Sequence, residues 1–264
     1  MLIEKTLLGE INKEENSIKI IKEFQNRRKE NENICAFSGG KDSIVLKHLM
    51  YRANIDFKPI YSPPSVDQPD IIKYIKKFHK DVAWQPYKKD KEGNEITMWT
   101  LIPKKLMPPS RLVRYCCDVM KERTGNEGDT VFLGVRWAES SKRRKLPMVG
   151  FWKGKVVVRP LIDWTDEEIW EYIRKYKLPY CELYDRGFKR LGCIGCPLSS
   201  NQVKELDLYP VYKNNYIKTF DKMIIERHKK NKKCEWKTGK EVMNWWIGET
   251  IKQKNIEGQC SFFE

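Results

Sequence analysis

The sequence predicts an α/β fold, in which a mostly parallel sheet is flanked by helices and a smaller, helix-rich C-terminal part carries cysteines. Two observations support this prediction. Short apolar runs typical of buried strands alternate with segments of helical periodicity over residues 34–176. A glycine-rich corner joins one of these strands to the following helix, and parallel sheets bind ligands where their strands end.

The individual elements follow in chain order. Strands are predicted at 34–37, 57–61, 82–84, 130–135 and 156–161. Helices are predicted at 18–29, 44–50, 71–79, 165–176, 216–229 and 240–252. The helix at 165 begins with Thr165-Asp166-Glu167-Glu168, which is a capping box. The chain is expected to divide into an N-terminal helical segment (1–32), an α/β domain (33–180) and a helical part (181–264).

The stretch CAFSGGKDSIVLKHLM contains the glycine corner. The first N–H groups of a helix have no partner within the helix and carry partial positive charge, so they attract anions. Gly39 and Gly40 would let the backbone approach such an anion closely. Lys41 adds a full positive charge, and Ser38 and Ser43 add hydroxyl donors. The corner therefore predicts a phosphate-binding loop.

An ordinary strand-to-helix turn is the alternative interpretation of this corner, with Asp42 or Ser43 capping the helix. The corner is not a phosphate loop of the form G-x-x-x-x-G-K-S/T, because Lys41 is followed by Asp42.

Composition limits the classes of protein to consider. The 264 residues include 51 lysines and arginines against 36 aspartates and glutamates, a formal charge of +15. This surplus favours a nucleic-acid partner, although a lysine-rich solvated surface gives the same composition. No stretch of about 18 apolar residues is present, so no membrane span is expected. The start, MLIEKTLLGEINKEENS, lacks the apolar core of a signal peptide, and we expect a cytoplasmic protein.

Eight cysteines in a chain expected to be cytoplasmic indicate metal or sulfur chemistry rather than disulfides. Cys116 and Cys117 are adjacent, and Cys193 and Cys196 form a C-x-x-C flanked by glycine and proline. Four thiolates from two segments can hold a [4Fe-4S] cluster or a zinc ion, and the adjacent pair favours the cluster. Four unrelated cysteines in a core are the alternative. Cys260 is a further candidate as a reactive thiol.

A second group of charged side chains lies in GVRWAESSKRRK, after the predicted strand that ends near Gly134. Arg136 leaves the end of this strand, and Glu139 and Arg143 follow within one or two turns. Arginine binds phosphate through paired hydrogen bonds. We expect this segment to face the same anion as the glycine corner, and a solvated basic loop is the alternative.

Together these blocks resemble two related groups of proteins. SGGKDS is similar to the pyrophosphate loop (PP-loop) of the N-type ATP pyrophosphatases. GVRWAESSKRR, RPLIDWTDEEIWEYI and LPYCELYDRGFKRLGCIGCP are similar to blocks of the 3′-phosphoadenylylsulfate (PAPS) reductase family. The match runs from Ile34 to Pro197 and implies an adenine nucleotide α-hydrolase-like, Rossmann-like fold.

The resemblance also implies site residues. Those implied at the phosphates of ATP and its Mg²⁺ are Ser38, Gly39, Gly40, Lys41, Asp42, Ser43, Gly134, Arg136, Glu139 and Arg143. Of these, the catalytic residues would be Lys41, Asp42, Arg136 and Arg143. The ligands implied for a [4Fe-4S] cluster are Cys116, Cys117, Cys193 and Cys196.

The chain departs from the sulfonucleotide reductases in two places. Those enzymes generally lack the loop lysine and carry a catalytic cysteine in a C-terminal Glu-Cys-Gly-Leu-His motif. This chain keeps Lys41, Asp42 and Ser43, and only Cys260 of its tail matches that motif. The motif set is closer to the sulfur-transferring enzymes of DNA phosphorothioation and, more distantly, to tRNA thiolases.

The first hypothesis is therefore an ATP pyrophosphatase that adenylates an acceptor for sulfur insertion. Its expected partners are ATP, a nucleic acid (DNA before tRNA) and a cysteine desulfurase or other sulfur donor protein, and an oligomer is possible. One alternative is a PAPS or adenylylsulfate reductase that produces sulfite. Another is a basic nucleic-acid-binding subunit that uses ATP as a structural ligand.

Overall fold

The computed structural model describes residues 2–6, 9–26 and 30–248, which form two compact units. The first unit comprises the described residues of Met1–Ser62, Gln68–Pro86 and Arg123–Gly192. The second comprises those of Pro63–Asp67, Tyr87–Glu122 and Cys193–Glu264. Each unit is thus assembled from segments that are distant in sequence. The three-part division predicted along the chain stays a prediction.

The first unit contains the strands. In chain order they are β1 (Ile3–Thr6), β2 (Gly9–Asn12), β3 (Asn33–Phe37), β4 (Lys58–Tyr61), β5 (Ala83–Trp84), β6 (Thr130–Leu133), β7 (Val149–Trp152) and β8 (Lys155–Val158). β1 and β2 form an antiparallel hairpin, and the other six form one sheet in the order β5-β4-β3-β6-β8-β7. Only β7 runs antiparallel to its neighbour in this sheet. The predicted α/β fold with a mostly parallel sheet is therefore confirmed.

The strand order reverses at the middle of the sheet. From β3 the chain continues to β4 and β5 on one side, and it then returns to β6 and β8 on the other. In open α/β sheets, ligands bind in the crevice outside the carboxyl ends of the strands at such a reversal. The loops that follow β3 and β6 are placed at this point, and they contain the glycine corner and Arg136.

Helices occur in both units. In chain order they are α1 (Lys13–Phe24), α2 (Lys41–Arg52), α3 (Pro69–Phe78), α4 (Met98–Lys105), α5 (Asp166–Lys175), α6 (Gln202–Leu208), α7 (Pro210–Lys229) and α8 (Gly239–Trp246). α1, α2, α3 and α5 belong to the first unit, and the other four belong to the second. No helix among the described residues is long and apolar enough to span a bilayer.

Local capping fixes where two of these helices begin. The predicted capping box is present, because Thr165 Oγ1 accepts from Glu168 N at 3.2 Å and Glu168 Oε2 accepts from Thr165 N at 2.8 Å. The first helix was predicted over 18–29 but runs over Lys13–Phe24, because Asn12 caps it at an earlier residue. Residues 27–29 lie outside the described part of the chain.

Each unit has its own apolar core. In the first, α2 buries Val45, Leu46 and Leu49 against a cluster that includes Phe132 of β6 and Trp164. The core of the second unit is formed by side chains from its four helices and the adjoining loops, among them Met98, Leu101, Leu206, Phe220, Met223, Val242 and Trp246. The sheet with its glycine corner and the helical cysteine-bearing unit are therefore separately packed bodies.

A chain of polar groups is buried in the first unit. Lys47 Nζ lies 2.8 Å from both carboxylate oxygens of Asp81 and 3.0 Å from His79 Nδ1. Because an ammonium group can only donate, His79 Nδ1 is the acceptor and Nε2 carries the proton. Nε2 donates to Tyr74 Oη at 2.7 Å, and Tyr74 donates to the carbonyl of Pro179 at 2.6 Å. The neutral form of His79 satisfies every group in this chain.

This arrangement makes stability depend on pH. Burial, reinforced by the charge of Lys47, lowers the pKa of His79 to about 4, whereas an unfolded histidine titrates near pH 6.5. Between these values the unfolded chain binds more protons, so acid favours unfolding. We expect the free energy of unfolding to fall by about 1 to 2 kcal/mol between about pH 7 and about pH 5. Urea denaturation of the wild type and His79→Gln measures this, and an equal fall in both would contradict it.

Candidate functional site

The glycine corner connects the carboxyl end of β3 to the start of α2. Gly39 has φ of +75°, and a Cβ atom there would lie 2.9 Å from Ile71 Cγ2 and 3.0 Å from Ile75 Cδ1. The backbone conformation and the contact with α3 both require glycine at this position. Contact with α3 therefore fixes the backbone of the corner that leads into the first turn of α2.

We expect Gly39→Ala to lower the free energy of unfolding by about 2 kcal/mol or more, through a strained backbone and a clash with α3. Gly187 is a matched control, because its φ is +83° but no atom lies within 4 Å of a Cβ there. Gly187→Ala should cost about 1 kcal/mol. Urea denaturation of both variants measures the difference, and equal losses would show that contact with α3 is not what requires Gly39.

The polar groups of the corner are arranged around the start of α2. Ser43 Oγ donates to the Gly40 carbonyl at 2.8 Å and accepts from Ser38 N at 3.2 Å. The N-cap of α2 is Gly40, which provides no side-chain cap. The interpretation as an ordinary turn required Asp42 or Ser43 to cap the helix, and neither does so. The N–H groups of Asp42 and Ser43 have no hydrogen-bond partner within the described residues.

Two buried cations and two carboxylates surround this helix start. The side chains of Lys41 and Arg136 are only 6% and 3% exposed. Lys41 Nζ lies 3.0 Å from Asp166 Oδ1 and 3.6 Å from Asp42 Oδ2. Arg136 donates through Nε to Asp42 and through Nη2 to Asp166 Oδ1 at 2.8 Å. Each cation thus contacts both carboxylates, and the four charges balance.

The two carboxylates differ in their surroundings. Burial raises the pKa of Asp42 and outweighs the opposing charges of Lys41 and Arg136. Burial also acts on Asp166, but hydrogen bonds from Lys41 and Arg136 outweigh it there and lower its pKa. The side chain of Asp166 is 52% exposed, so this carboxylate is the solvent-facing member of the group.

The segment after β6 is linked to the same group. Glu139 Oε1 accepts from Arg136 N at 2.9 Å, and its other oxygen pairs with Arg143. Gly134 allows close packing, because a Cβ there would lie 3.0 Å from the backbone of Asp42. Of the predicted residues, Lys41, Asp42 and Arg136 are in contact, and Arg143 is joined to them through Glu139.

Asp166 belongs to this site but was not among the predicted site residues. Asp166 lies within the capping box as the first residue of α5, so a structural role already accounted for an acidic residue there. Strand order supplies the missing signal, since β8 lies next to β6 and β6 lies next to β3. The segments that follow these three strands converge, and Asp166 belongs to the third.

The four predicted cysteine ligands all lie in the second unit. Cys117 and Lys121 begin and end one π-helical turn, and such turns are frequent at functional sites. Cys193 and Cys196 are in a tight turn, with Cys196 N donating to the Cys193 carbonyl at 3.3 Å. Cys116 and Cys193 pack against the same apolar core of the second unit.

Cationic side chains accompany both pairs of thiols. A hydrogen bond from Cys116, together with Arg114, lowers the pKa of Cys117 to about 5, although burial opposes this. Arg114 Nη2 lies 3.4 Å from Cys117 Sγ. Burial raises the pKa of Cys193 to about 12, while the charge of Lys121 acts in the opposite direction. Cysteine thiolates are the usual ligands of an iron–sulfur cluster, so the residue types at these four positions suit one.

In the part of the chain that the structure describes, no three histidine, cysteine, aspartate or glutamate side chains are grouped so that they could hold a metal ion. The cluster therefore stays a prediction. Cys260 lies outside the described residues.

Comparison with known proteins identifies the family. The model of the phosphoadenosine phosphosulfate reductase domain matches residues 32–199. The chain therefore belongs to the phosphoadenosine phosphosulfate reductase domain family, and the resemblance read from its motifs is confirmed.

Several relatives are similar to this chain. It is 32% identical over 222 residues to the uncharacterized protein MJ0973 of Methanocaldococcus jannaschii, with 77% of this chain and 52% of that protein covered. It is 28% identical over 187 residues to the adenosine 5′-phosphosulfate reductase of Bacillus cereus, with 64% and 74% covered. The crystal structure of phosphoadenylyl-sulfate (PAPS) reductase from Candida auris has a TM-score of 0.48 at 15% identity, with 67% of this chain and 88% of that chain covered. The chain thus spans about half the length of MJ0973.

Proposed function

We propose that this protein is an ATP pyrophosphatase that adenylates an acceptor, a nucleic-acid phosphate or base, for sulfur insertion of the DNA-phosphorothioation type. The observation that carries the proposal is the pair of buried cations, Lys41 and Arg136, beside unpaired N–H groups at the start of α2. A buried lysine and arginine in contact with exchangeable carboxylates form a site for a polyanion.

The first reaction would be transfer of the adenylyl group. An oxygen of the acceptor attacks the α-phosphorus of ATP, the bond to the β-phosphate oxygen breaks, and pyrophosphate leaves. Catalysis would consist of alignment and charge neutralisation, with no protein nucleophile. Lys41 and the N–H groups of Asp42 and Ser43 would hold the departing pyrophosphate, and Arg136 would neutralise the developing charge.

The ion pairs of the site suggest how it would bind ATP. Lys41 and Arg136 are compensated by Asp42 and Asp166, so a phosphate chain must replace those carboxylates as their partner. Mg²⁺ entering with the nucleotide would neutralise phosphate charge, and Asp42 would hold it. Exchange of partners lets the buried charges remain paired before and after binding.

The second reaction would be displacement of AMP by sulfur. The sulfur would arrive as a persulfide from a cysteine desulfurase or another donor protein, and its outer sulfur would bond to the activated atom as AMP leaves. A second thiol would then cleave the sulfur–sulfur bond, leaving the sulfur on the acceptor and forming a disulfide with the donor cysteine. Cys116, Cys117, Cys193 and Cys196 would hold a [4Fe-4S] cluster, which when bound could ligate sulfide or carry electrons.

The proposal is tested by release of pyrophosphate from ATP by the purified protein, with DNA and then tRNA supplied as acceptor. Radiolabelled sulfur in the polymer after addition of a cysteine desulfurase and cysteine would identify the acceptor. Failure to release pyrophosphate with either polymer would rule the proposal out.

A second candidate function is a sulfonucleotide reductase, because one relative is named adenosine 5′-phosphosulfate reductase. Such an enzyme would release sulfite from adenylylsulfate or PAPS in the presence of a thiol, and it would require Cys260. The intact Ser38–Ser43 loop with its lysine favours ATP cleavage instead. A sulfite assay of the wild type and Cys260→Ser distinguishes the two functions.

A further inference from the structure

A tyrosine from another segment contacts the glycine corner directly. Tyr184 Oη accepts a hydrogen bond from Lys41 N at 2.9 Å. The same oxygen would lie 3.5 Å from a Cβ atom on Gly40. The hydroxyl therefore lies over the first N–H group of α2, in the place where a helix start attracts an anion.

The hydroxyl of Tyr184 can also donate a hydrogen bond, and the glycine corner does not use this donor. A phenol can accept and donate at the same time, and Lys41 N occupies only its acceptor side. Its hydrogen finds no acceptor among residues 2–6, 9–26 and 30–248. Burial, reinforced by the nearby carboxylates of Asp42 and Asp166, raises the pKa of Tyr184 well above the ordinary value for tyrosine. The group is therefore an uncharged donor at any working pH.

Packing fixes the position of this donor. The Tyr184 ring meets the ring of Trp170 on α5 edge-on, with centroids 5.1 Å apart and planes at 87°. Leu183 and Phe188, on either side of it in sequence, are buried in an apolar cluster. Lys41 Nζ is 5.8 Å from the centroid of the tyrosine ring. An aromatic side chain held in this way loses little entropy when it binds a ligand.

We propose that Tyr184 is a phosphate-binding residue of the site, donating its hydroxyl hydrogen to the phosphate chain of the bound nucleotide while still accepting from Lys41 N. This inference rests on the proposed function, because it assigns a further contact to the same nucleotide. The nucleotide would then have a donor from the segment that precedes the C-x-x-C. This donor joins the backbone N–H groups of the loop and the side chains of Lys41 and Arg136. The hydrogen bond from the Tyr184 hydroxyl would have a charged acceptor, and such bonds are stronger than those between neutral groups.

The experiment measures the binding of inorganic pyrophosphate and of α,β-methylene-ATP by calorimetry to the wild type and to Tyr184→Phe. We expect both probes to bind about tenfold more weakly to the variant, which is the loss of one hydrogen bond to a charged group. Tyr180→Phe is the matched control, because Tyr180 lies in the same segment but its hydroxyl bonds to Asp185 at 3.1 Å. That variant should bind both probes as the wild type does.

A second measurement separates phosphate binding from a structural role. Tyrosine replaced by 3-fluorotyrosine at position 184 has a more acidic hydroxyl and is a stronger donor, so pyrophosphate should bind more tightly than to the wild type. A hydroxyl that only supports the loop would give no tightening.

Three results would overturn the inference: unchanged or tighter binding to Tyr184→Phe, no tightening by 3-fluorotyrosine, or no binding of either probe to the wild type. Failure of the proposed function is distinguishable from these results. If the wild type binds both probes but releases no pyrophosphate from ATP, that function fails, and the binding ratio still decides the role of Tyr184.

Discussion

Replacing Lys41 with methionine is expected to lower kcat/KM for pyrophosphate release from ATP by about 10²- to 10³-fold, the usual effect of removing one group that stabilises charge in a transition state. Lys41 is the buried cation at the first turn of α2, and its ammonium group lies 3.0 Å from Asp166. Methionine keeps the length and apolar stem of the side chain but not the charge. Because charge accumulates on the leaving pyrophosphate, kcat should fall more than KM rises.

The control for this prediction is Lys73→Met, since Lys73 is exposed on α3 in the same unit. That variant should release pyrophosphate at the wild-type rate, which excludes a general effect of net charge on attraction of the nucleotide. Thermal unfolding of Lys41→Met checks that the buried site still folds without one of its cations. A folded Lys41→Met protein with full activity would refute the role assigned to Lys41.

Much of the first unit was predictable because its signals are local. The run of residues 34–37 is apolar and ends at the glycine corner, which specifies β3, and the capping box at Thr165 specifies the start of α5. α4 was not predicted, because it spans only Met98–Lys105 and contains Pro103, a residue that ordinarily argues against a helix. Short apolar elements and proline-containing helices depend on tertiary packing, which no sequence window contains.

The candidate site was only partly predictable, for a different reason. Lys41, Asp42 and Arg136 could be found from the sequence because each belongs to a motif with a recognisable chemistry. Asp166 and Tyr184 could not, because their roles depend on strand order and on a loop that returns to α2 from more than a hundred residues away. The division of the chain into two units was not predictable for the same reason. Segments 63–67 and 87–122 pack with residues after 192, a long-range association that gives no local pattern.

The second large effect is expected at the cysteines. Protein purified without oxygen should be brown and contain about four iron atoms per chain, and Cys196→Ser should be nearly colourless with little iron. Cys196 is in the tight turn that Cys193 begins, and it is the nearest in sequence to the end of the matched family region. A serine oxygen is a poor ligand for iron, so the loss of one thiolate should release the cluster.

Cys234→Ser provides the matched control for this prediction. Cys234 lies in the same unit, partly buried, and its sulfur donates to the carbonyl of Trp236 at 3.4 Å. Its replacement should leave both colour and iron content unchanged. Iron retained in Cys196→Ser would remove Cys196 from the ligand set. If the wild type is colourless and contains one zinc per chain, the four cysteines bind a structural zinc ion and not a cluster. Binding of α,β-methylene-ATP to Cys196→Ser, measured on the same preparation, reports whether the adenylation residues of the first unit are still intact when the metal is lost.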